Sequence, residues 1–210
     1  MNASSDTTNV IELLTDSAII DDDLCLFLPL AQEDLHMFLS EADSVQYAES
    51  IWIQMGKLAT AISSLHKEGI AHNDLKPRNI LVFISSENMI TCKISDFGHS
   101  VDVSEVESHP DIDPSLHQEA YRSSGVYSAP ETWHLGSIQY KACDIWDLGC
   151  ISSEVVTFIW GGPNDVSRFR LERTSETNHV VSDVFHDTKR LKSEVLRWLY
   201  QLKARTVDLQ

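Results

Sequence analysis

One stretch near position 150 restricts the fold more than any other part of the chain. From about Ala142 to Ile159 the sequence is apolar on nearly every side of a helix, and it ends at Gly161-Gly162, where helices commonly stop. Its apolar side chains are Ile145, Trp146, Leu148, Ile151, Val155, Val156 and Phe158. A helix without a solvent face has to lie at the centre of the core, so the other elements are expected to pack around it.

A second helix, predicted from about Ser44 to Lys67, has one buried face. Its apolar side chains recur at steps of three and four residues: Ile51, Met55, Leu58, Ile62 and Leu65. Either Asp43 or Ser44 can cap its start, and Gly69 stands where a helix commonly ends. These two helices indicate a core built mainly from helices.

Shorter patterns predict the remaining elements. They are a hairpin of two short strands around Asp21-Asp22-Asp23, a short helix from about Gln32, strands at Ile80 to Ile84 and Ile90 to Ile94, a long loop over residues 99–128, and a last helix from about Thr188 to Lys203. The expected fold class is therefore α+β and mainly helical.

Charge and cysteine usage restrict the partners and the compartment. The net charge of −16, from 16 Lys and Arg against 32 Asp and Glu, argues against nonspecific nucleic-acid binding and against attraction to anionic membranes. The four cysteines form no CxxC pair, and neither a signal peptide nor a membrane-spanning apolar run is visible. We expect reduced thiols in an intracellular protein, cytoplasmic or nuclear, with no nucleic-acid partner and no membrane insertion.

The polar residues of one loop indicate chemistry. His72 to Asn79 reads His-Asn-Asp-Leu-Lys-Pro-Arg-Asn, which places an acid, a lysine and an amide close together. The carboxylate of Asp74 can orient a hydroxyl, Lys76 can neutralise phosphate oxygens, and Asn79 can ligate a magnesium ion. A second carboxylate, Asp96, follows in the turn Asp96-Phe97-Gly98.

Four motifs in order resemble the C-terminal lobe of a eukaryotic-type protein kinase. They are H-x-D-x-K-x-x-N at residues 72–79, D-F-G at 96–98, A-P-E at 129–131 and D-x-W-x-x-G at 144–149. The lysine two residues after Asp74 resembles the Ser/Thr-directed branch. This resemblance implies ATP-dependent phosphoryl transfer to Ser or Thr hydroxyls of a protein substrate, with Mg²⁺.

The resemblance also implies a role for each residue of the site. Asp74 and Lys76 would be catalytic, with Lys76 on the nucleotide's γ-phosphoryl, and Asn79 and Asp96 would bind the metal. The expected adenine contacts are Leu28 as gatekeeper, Pro29 and Ala31 in the hinge, and Leu81 under the ring. His72 and Phe97 would be core residues that join the two loops, and Asp144 would hold the catalytic loop through hydrogen bonds.

Three departures from the family pattern are visible. Asn73 stands where an arginine usually precedes the catalytic aspartate, which predicts that phosphate on Ser104, Ser108, Ser115, Ser123 or Ser124 lacks its usual receptor. No glycine or lysine precedes Gly56, so a Gly-rich loop and a strand lysine are missing from residues 1–56. None of Arg190, Arg197 and Arg205 stands in the late segment where the partner of Glu131 is expected.

These departures shape the expected domain organisation and function. We expect residues 1–31 to be a small-lobe remnant with two strands and the hinge, and residues 32–210 to be a truncated kinase-like large lobe. The activity of this chain alone is in doubt, because the missing parts position the phosphates. The alternative is a catalytically silent kinase-like fragment or pseudokinase that binds a protein partner. A small-molecule phosphotransferase of the aminoglycoside type shares the loop but not the A-P-E and D-x-W-x-x-G motifs.

Overall fold

The computed structural model describes residues 9–14, 17–21, 23–104, 125–133, 140–177, 180–187 and 189–207. The helices of this part are α1 (Leu35–Glu41), α2 (Ser44–Lys67), α3 (Tyr140–Glu172) and α4 (Ser193–Val207). The strands are β1 (Ala18–Ile20), β2 (Asp23–Cys25), β3 (Glu33–Asp34), β4 (Ile70–Ala71), β5 (Ile80–Ile84), β6 (Ile90–Ile94), β7 (Val101–Asp102), β8 (Ser175–Thr177) and β9 (Val180–Ser182). The α+β, mainly helical class expected from the sequence is confirmed.

The main core forms where α1, α2 and the sheet β3-β5-β6 pack around the first half of α3. All strand pairs of this sheet are antiparallel, with Asp34 opposite Leu81 and Val82 opposite Cys92. The buried side chains include Leu35, Phe38, Ile51, Leu58, Ile62, Val82, Ile94, Ile151, Val155 and Phe158. The helix near position 150 therefore lies at the centre of the core, as its composition predicts.

That helix is less apolar inside than the sequence suggests. Ile145 is 57% exposed, whereas Asp144, Asp147 and Glu154 are buried. The inward positions of its first half are used for hydrogen bonds to neighbouring loops, and an apolar residue is left on the outside. A helix apolar on nearly every side was therefore the wrong description of these turns.

A smaller core joins the second half of α3 to α4. Its buried members are Cys150, Phe169, Phe185, Val195, Trp198 and Leu202. The rings of Phe169 and Trp198 stack with centroids 5.3 Å apart, and the indole N–H of Trp198 donates to Thr157 Oγ1 at 2.9 Å. This hydrogen bond satisfies the only polar atom of a buried indole, which allows the ring to fill the core.

The local signals at α2 and at the β5–β6 hairpin act as predicted. The helix covers Ser44–Lys67, the carboxylate of Asp43 accepts from the N–H groups of Val45 and Gln46, and Gly69 follows with φ +81°. A left-handed residue after a helix is usually glycine, because other side chains are strained there. The predicted strands Ile80 to Ile84 and Ile90 to Ile94 pair across their whole length.

Two predicted helix starts were wrong, and one predicted helix end was right. The first helix begins at Leu35 rather than near Gln32, because Glu33–Asp34 pairs with β5 and Asp34 caps the helix through Met37 N–H. The predicted end of the central helix at Gly161-Gly162 is confirmed: Gly162 is non-helical (φ +69°), and the rest of α3, from Pro163 to Glu172, is a second helical stretch after this kink. The last helix begins at Ser193 rather than near Thr188, because the preceding residues form a turn in which Asp187 N–H donates to Arg190 O.

The N-terminal hairpin is present but short. Strands β1 and β2 pair antiparallel, and the second ends at Cys25 rather than near Leu28. The segment before it makes backbone contacts on two sides: Leu14 N–H donates to Phe27 O at 2.8 Å, and Val10 bridges to Ile94 in the main sheet. Many large apolar side chains here are exposed: Leu13, Leu14, Ile19, Ile20, Leu24, Leu26, Phe27, Leu28 and Leu30. No helix of the described residues has the length and apolar character needed to span a membrane.

Candidate active site

The loop between β4 and β5 brings an acid, a lysine and an amide into contact. Lys76 Nζ donates to Asp74 Oδ2 at 2.7 Å, and Asn79 Nδ2 donates to the same oxygen and to the backbone oxygen of Asp74, both at 2.9 Å. Asp74 is 8% exposed and Asn79 is 6% exposed. A carboxylate held this way is fixed in position, while its Oδ1 accepts no hydrogen bond from the described residues.

A buried histidine joins this loop to the turn after β6. His72 is fully buried, its Nδ1 accepts from Asp74 N–H at 3.3 Å, and its Nε2 lies 3.0 Å from Ser95 O. Because the first nitrogen accepts, the second carries the proton and donates. Burial lowers the pKa of His72, which keeps the ring neutral. Its ring also packs on Phe97 at 4.8 Å between centroids, so His72 is the core residue that the sequence predicted.

The start of α3 anchors the loop from below. Asp144 Oδ1 accepts from Asn73 N–H at 2.8 Å, and its Oδ2 accepts from His72 N–H at 2.9 Å. The same Oδ2 lies 2.7 Å from Nε2 of His66, on the last turn of α2. Asp144 therefore connects the loop to both central helices, and its predicted role as an anchor is confirmed.

The second carboxylate lies at the surface of the turn after β6. Asp96 is exposed with φ +63°, and its Oδ1 accepts from Gly98 N–H at 3.3 Å. The turn is tied to the loop because Ser95 N–H and Ser95 Oγ both donate to Asn79 O. Asn79 Oδ1 accepts no hydrogen bond from the described residues, so one amide oxygen and one carboxylate remain available. These are the hard oxygen donors that Mg²⁺ prefers, and the donor set fits that ion.

The predicted adenine contacts are not part of the cavity at this cluster. That cavity, of about 240 Å³, is lined by Asp74 and Lys76 but not by Leu28, Pro29, Ala31 or Leu81. Leu28 is 43% exposed, and the other three side chains are half-buried. The segment directly before β3 is held to the sheet, because Gln32 N–H donates to Val82 O at 3.1 Å.

The chain matches one family model over nearly its whole length. That model, described as the protein kinase domain, covers residues 1–202. The chain belongs to the protein kinase family. The mainly helical kinase-like fold and the Ser/Thr-type lineage expected from the sequence are thereby confirmed.

The kinase domain is similar to curated kinases that include mitogen-activated ones. It is 31% identical over 150 residues to "Extracellular signal-regulated kinase 2" of Dictyostelium discoideum, a match that covers 70% of this chain and 38% of that protein. It is 32% identical over 152 residues to "Mitogen-activated protein kinase HOG1" of Wallemia muriae, covering 70% of this chain and 47% of the relative. The kinase domain thus spans less than half the length of these relatives.

Sequence reasoning missed the buried ion network beneath the site. Glu154 is completely buried, and its oxygens accept from Tyr127 Oη, from Arg173 Nη2 at 2.7 Å and from Arg170 Nη2 at 2.7 Å. Burial alone would raise the pKa of Glu154, but the two arginines outweigh it and hold this pKa below its usual value. The only sign of this network in the sequence was the acid Glu154 within an apolar run. Arg170 and Arg173 lie beyond the predicted helix end, so no spacing pointed to them.

A second missed acid lies directly under the loop. Asp147 is 4% exposed, and one of its oxygens, Oδ1, is buried without a partner in the described structure. Burial, followed by the charges of Asp144 and Asp74, raises the pKa of Asp147 well above its usual value. Its carboxyl therefore stays protonated to a higher pH than the carboxyl of an exposed aspartate. The spacing from Asp144 of one helical turn was the available signal.

The departures noted in the sequence have structural counterparts. Asn73 adopts φ +63°, a conformation that asparagine tolerates better than arginine, and its amide donates to His99 O at 3.3 Å. The serines from Ser108 to Ser124 lie outside the described residues. Glu131 contacts Cys143 Sγ at 3.8 Å, whereas the three candidate arginines pair elsewhere: Arg190 with Asp187, Arg197 with Glu194 and Arg205 with Asp165. No cluster of three or more His, Cys, Asp or Glu suited to a metal ion occurs among the described residues.

Proposed function

We propose that this kinase domain transfers the γ-phosphoryl group of ATP to Ser or Thr hydroxyls of a protein. The supporting observation is the contact of Lys76 and Asn79 with one oxygen of Asp74, which leaves the other oxygen without a hydrogen bond from the described residues. A fixed acceptor with one free oxygen suits a group that orients a hydroxyl and takes its proton. The four unpaired cysteines support an intracellular location, cytoplasmic or nuclear.

Each side chain of the cluster has a separate task in this proposal. Asp74 Oδ1 accepts the hydrogen bond of the attacking hydroxyl and receives its proton as the phosphorus–oxygen bond forms. Lys76, which is 34% exposed at its side chain, can turn from Asp74 to the transferred phosphoryl group. Asn79 Nδ2 continues to donate to Asp74 when Lys76 turns away, so the orientation of the Asp74 carboxylate is kept.

Asn79 Oδ1 and the carboxylate of Asp96 would hold Mg²⁺, which supplies positive charge to the phosphates when bound. The exposed carboxylate and the free amide oxygen support this assignment. Leu28, Pro29, Ala31 and Leu81 are proposed to contact the adenine, with a backbone carbonyl from Pro29 and a backbone N–H from Ala31. Their half-exposed positions leave apolar surface for a planar ring.

Calorimetric titration with Mg-ATP tests the nucleotide part of the proposal. We expect the chain to bind Mg-ATP and Asp96→Ala to bind at least about ten-fold more weakly, since a metal carboxylate is lost. Glu87→Ala is the matched control, because Glu87 is an exposed acid in the β5–β6 turn and its removal changes the net charge equally. Undetectable binding in all three proteins would contradict the proposal.

Transfer itself is measured with a Ser/Thr peptide library and radiolabelled ATP. Asp74→Asn is expected to reduce the rate by about 10² or more while Mg-ATP binding remains, because general-base catalysis contributes about 10²–10⁴. Equal rates for Asp74→Asn and the unmodified chain would rule out Asp74 as the base.

A silent kinase-like interaction module is the second candidate. The observation in its favour is the run of exposed apolar side chains between Leu13 and Leu30, since large apolar patches commonly mark interaction surfaces. A folded chain that binds no Mg-ATP, with or without Asp96→Ala, would support this candidate over the enzyme.

A further inference from the structure

A basic pocket lies beside the candidate active site. The cavity of about 240 Å³ between the catalytic loop and residues 125–128 is lined by Asp74 and also by four cationic side chains: Lys76, Arg78, Arg170 and Arg173. The whole chain has only 16 Lys and Arg against 32 Asp and Glu. A quarter of its cations therefore line one cavity, in a protein whose surface is mostly acidic.

The carboxylates of the pocket are already engaged. Asp74 pairs with Lys76 at 2.7 Å, and Asp183 lies 3.7 Å from Arg173 Nη2. Glu154, below the pocket, accepts from both Arg170 and Arg173. The remaining lining acid, Asp147, has a raised pKa that favours its neutral form.

Two guanidinium groups of the pocket keep unused donors. Arg78 is exposed and makes no hydrogen bond or ion pair with any described residue. Arg173 is 1% exposed, and its Nη1 is buried without a partner in the described structure. A buried donor left unpaired is unfavourable, so an acceptor entering the cavity at Arg173 would be stabilised.

Half-buried His36 also lines the pocket, and its pKa is lowered there. Burial, followed by the charges of Arg170 and Arg78, lowers the pKa of His36. The neutral imidazole adds a hydrogen-bonding group to the lining without adding charge. With four cations in the lining and Asp74 and Asp183 already paired, the pocket is suited to an anion.

We propose that this basic pocket binds an acidic side chain, a carboxylate or a phosphorylated serine, on the protein substrate close to its acceptor hydroxyl. The inference rests on the proposed function, because only a phosphoryl acceptor brings a substrate to Asp74. The shared lining by Asp74, Arg78 and Arg170 places the anion near the acceptor. Guanidinium groups bind carboxylates and phosphates through paired N–H donors, which makes them selective for such groups.

Fluorescence anisotropy with short peptides tests the inference without requiring turnover. The peptides have nine residues of Gly and Ala around one Ser, with Glu, phosphoserine, Ala or Lys placed at each of the three positions before or after it. We expect Glu or phosphoserine at one or two positions to bind about 3- to 10-fold more tightly than Ala. Arg78→Ala should remove this preference, and Arg78→Glu should shift it toward Lys.

The control variant is Lys57→Glu. Lys57 is an exposed cation on α2, away from the pocket, and its reversal changes the net charge as much as Arg78→Glu does. An effect of total charge would appear in both variants, whereas recognition in the pocket would appear only at Arg78. Equal loss of preference in the two variants overturns the proposal.

The same titrations separate this inference from the proposed function. A chain that binds Mg-ATP but treats Glu, phosphoserine, Ala and Lys peptides alike overturns the basic pocket and leaves the kinase assignment. A chain that prefers acidic peptides but binds no Mg-ATP supports the pocket and overturns the enzyme. Displacement of the acidic peptide by ATP would assign the pocket to nucleotide phosphates and would also overturn the inference.

Discussion

Removal of Glu154 is the sharpest test of the buried ion network beneath the candidate active site. The side chain is completely buried and accepts hydrogen bonds from Tyr127, Arg170 and Arg173. In Glu154→Ala the guanidinium of Arg173, 1% exposed, loses its carboxylate partner at 2.7 Å and keeps its contacts with Asp183 and with two aromatic rings. Removing one partner of a buried ion pair costs about 3–5 kcal/mol, because the other charge stays buried without compensation.

The expected loss is large compared with the stability of a domain. Unfolding free energies are about 5–15 kcal/mol, and for a chain of this size each kcal/mol shifts Tm by about 2–4 °C. We therefore expect Glu154→Ala to lower Tm by about 10 °C in a thermal melt followed by far-UV circular dichroism. Urea titration would give the same loss as a free energy.

Two further variants make the test specific. Glu172→Ala breaks the exposed pair with Arg168 on the same helix and is expected to cost about 0.5 kcal/mol or less. Glu154→Gln keeps the shape but loses the charge, and should fall between the two. A loss for Glu154→Ala no greater than for Glu172→Ala would refute the assignment of a buried network.

The pH dependence of stability follows from the lowered pKa of Glu154. A carboxyl whose pKa is lower in the folded state stabilises the fold above its unfolded-state value near 4.5, and this contribution is lost as the pH falls through the folded-state pKa. The destabilisation by Glu154→Gln should therefore be full at pH 6–7 and shrink below about pH 4.5. A difference that stays constant down to pH 3 would contradict this reasoning.

Three smaller predictions concern the loop and α2. Asp147→Asn should raise stability by about 1 kcal/mol or more at pH 7–8 and have no effect below pH 3.8, because the raised pKa makes the aspartate unfavourable only as the pH rises above its unfolded-state value. Asp144→Ala should increase amide hydrogen exchange at His72 and Asn73, whose N–H groups lose their acceptor. Asp43→Ala should cost about 1 kcal/mol in urea unfolding through the lost N-cap.

Two of these predictions have a control variant, and the third has an outcome that would contradict it. Asp165→Ala removes the half-buried partner of Arg205, outside the loop, and should leave exchange in the loop unchanged. Asp43→Asn keeps a capping oxygen and should be within a few tenths of a kcal/mol of the unmodified chain. Identical pH profiles for Asp147→Asn and the unmodified chain would show that the pKa of Asp147 is not raised.

Local signals predicted the fold well wherever they agreed with one another. Helix α2 matches its predicted bounds because an apolar stripe, the cap at Asp43 and a left-handed Gly69 all indicate the same limits. At Gly162 the signals also agree: glycine marks the end of one helical stretch, and Pro163 is suited to the first turn of the next. The helical stretch after Gly162 was not predicted, because it packs through Phe169 against Trp198 and no local pattern reveals that contact.

The candidate site also has a part that the sequence predicted and a part that it did not. The spacing of Asp74, Lys76 and Asn79 predicted one cluster, and the structure brings the three together. The Glu154 network joins residues far apart in sequence, so its arginines could not be assigned from spacing. Such long-range pairs depend on how helices pack, which a single sequence does not specify directly.

The ring of His72 offers a way to observe the site in solution. Because Nδ1 accepts from Asp74 N–H and Nε2 donates to Ser95 O, the two ring nitrogens report on two different loops. Their nitrogen-15 chemical shifts should differ widely while both loops are docked, and should converge toward the average of exchanging tautomers if either one detaches. One imidazole thus provides a spectroscopic gauge of loop assembly that needs only nitrogen-15 enrichment and no ligand or substrate.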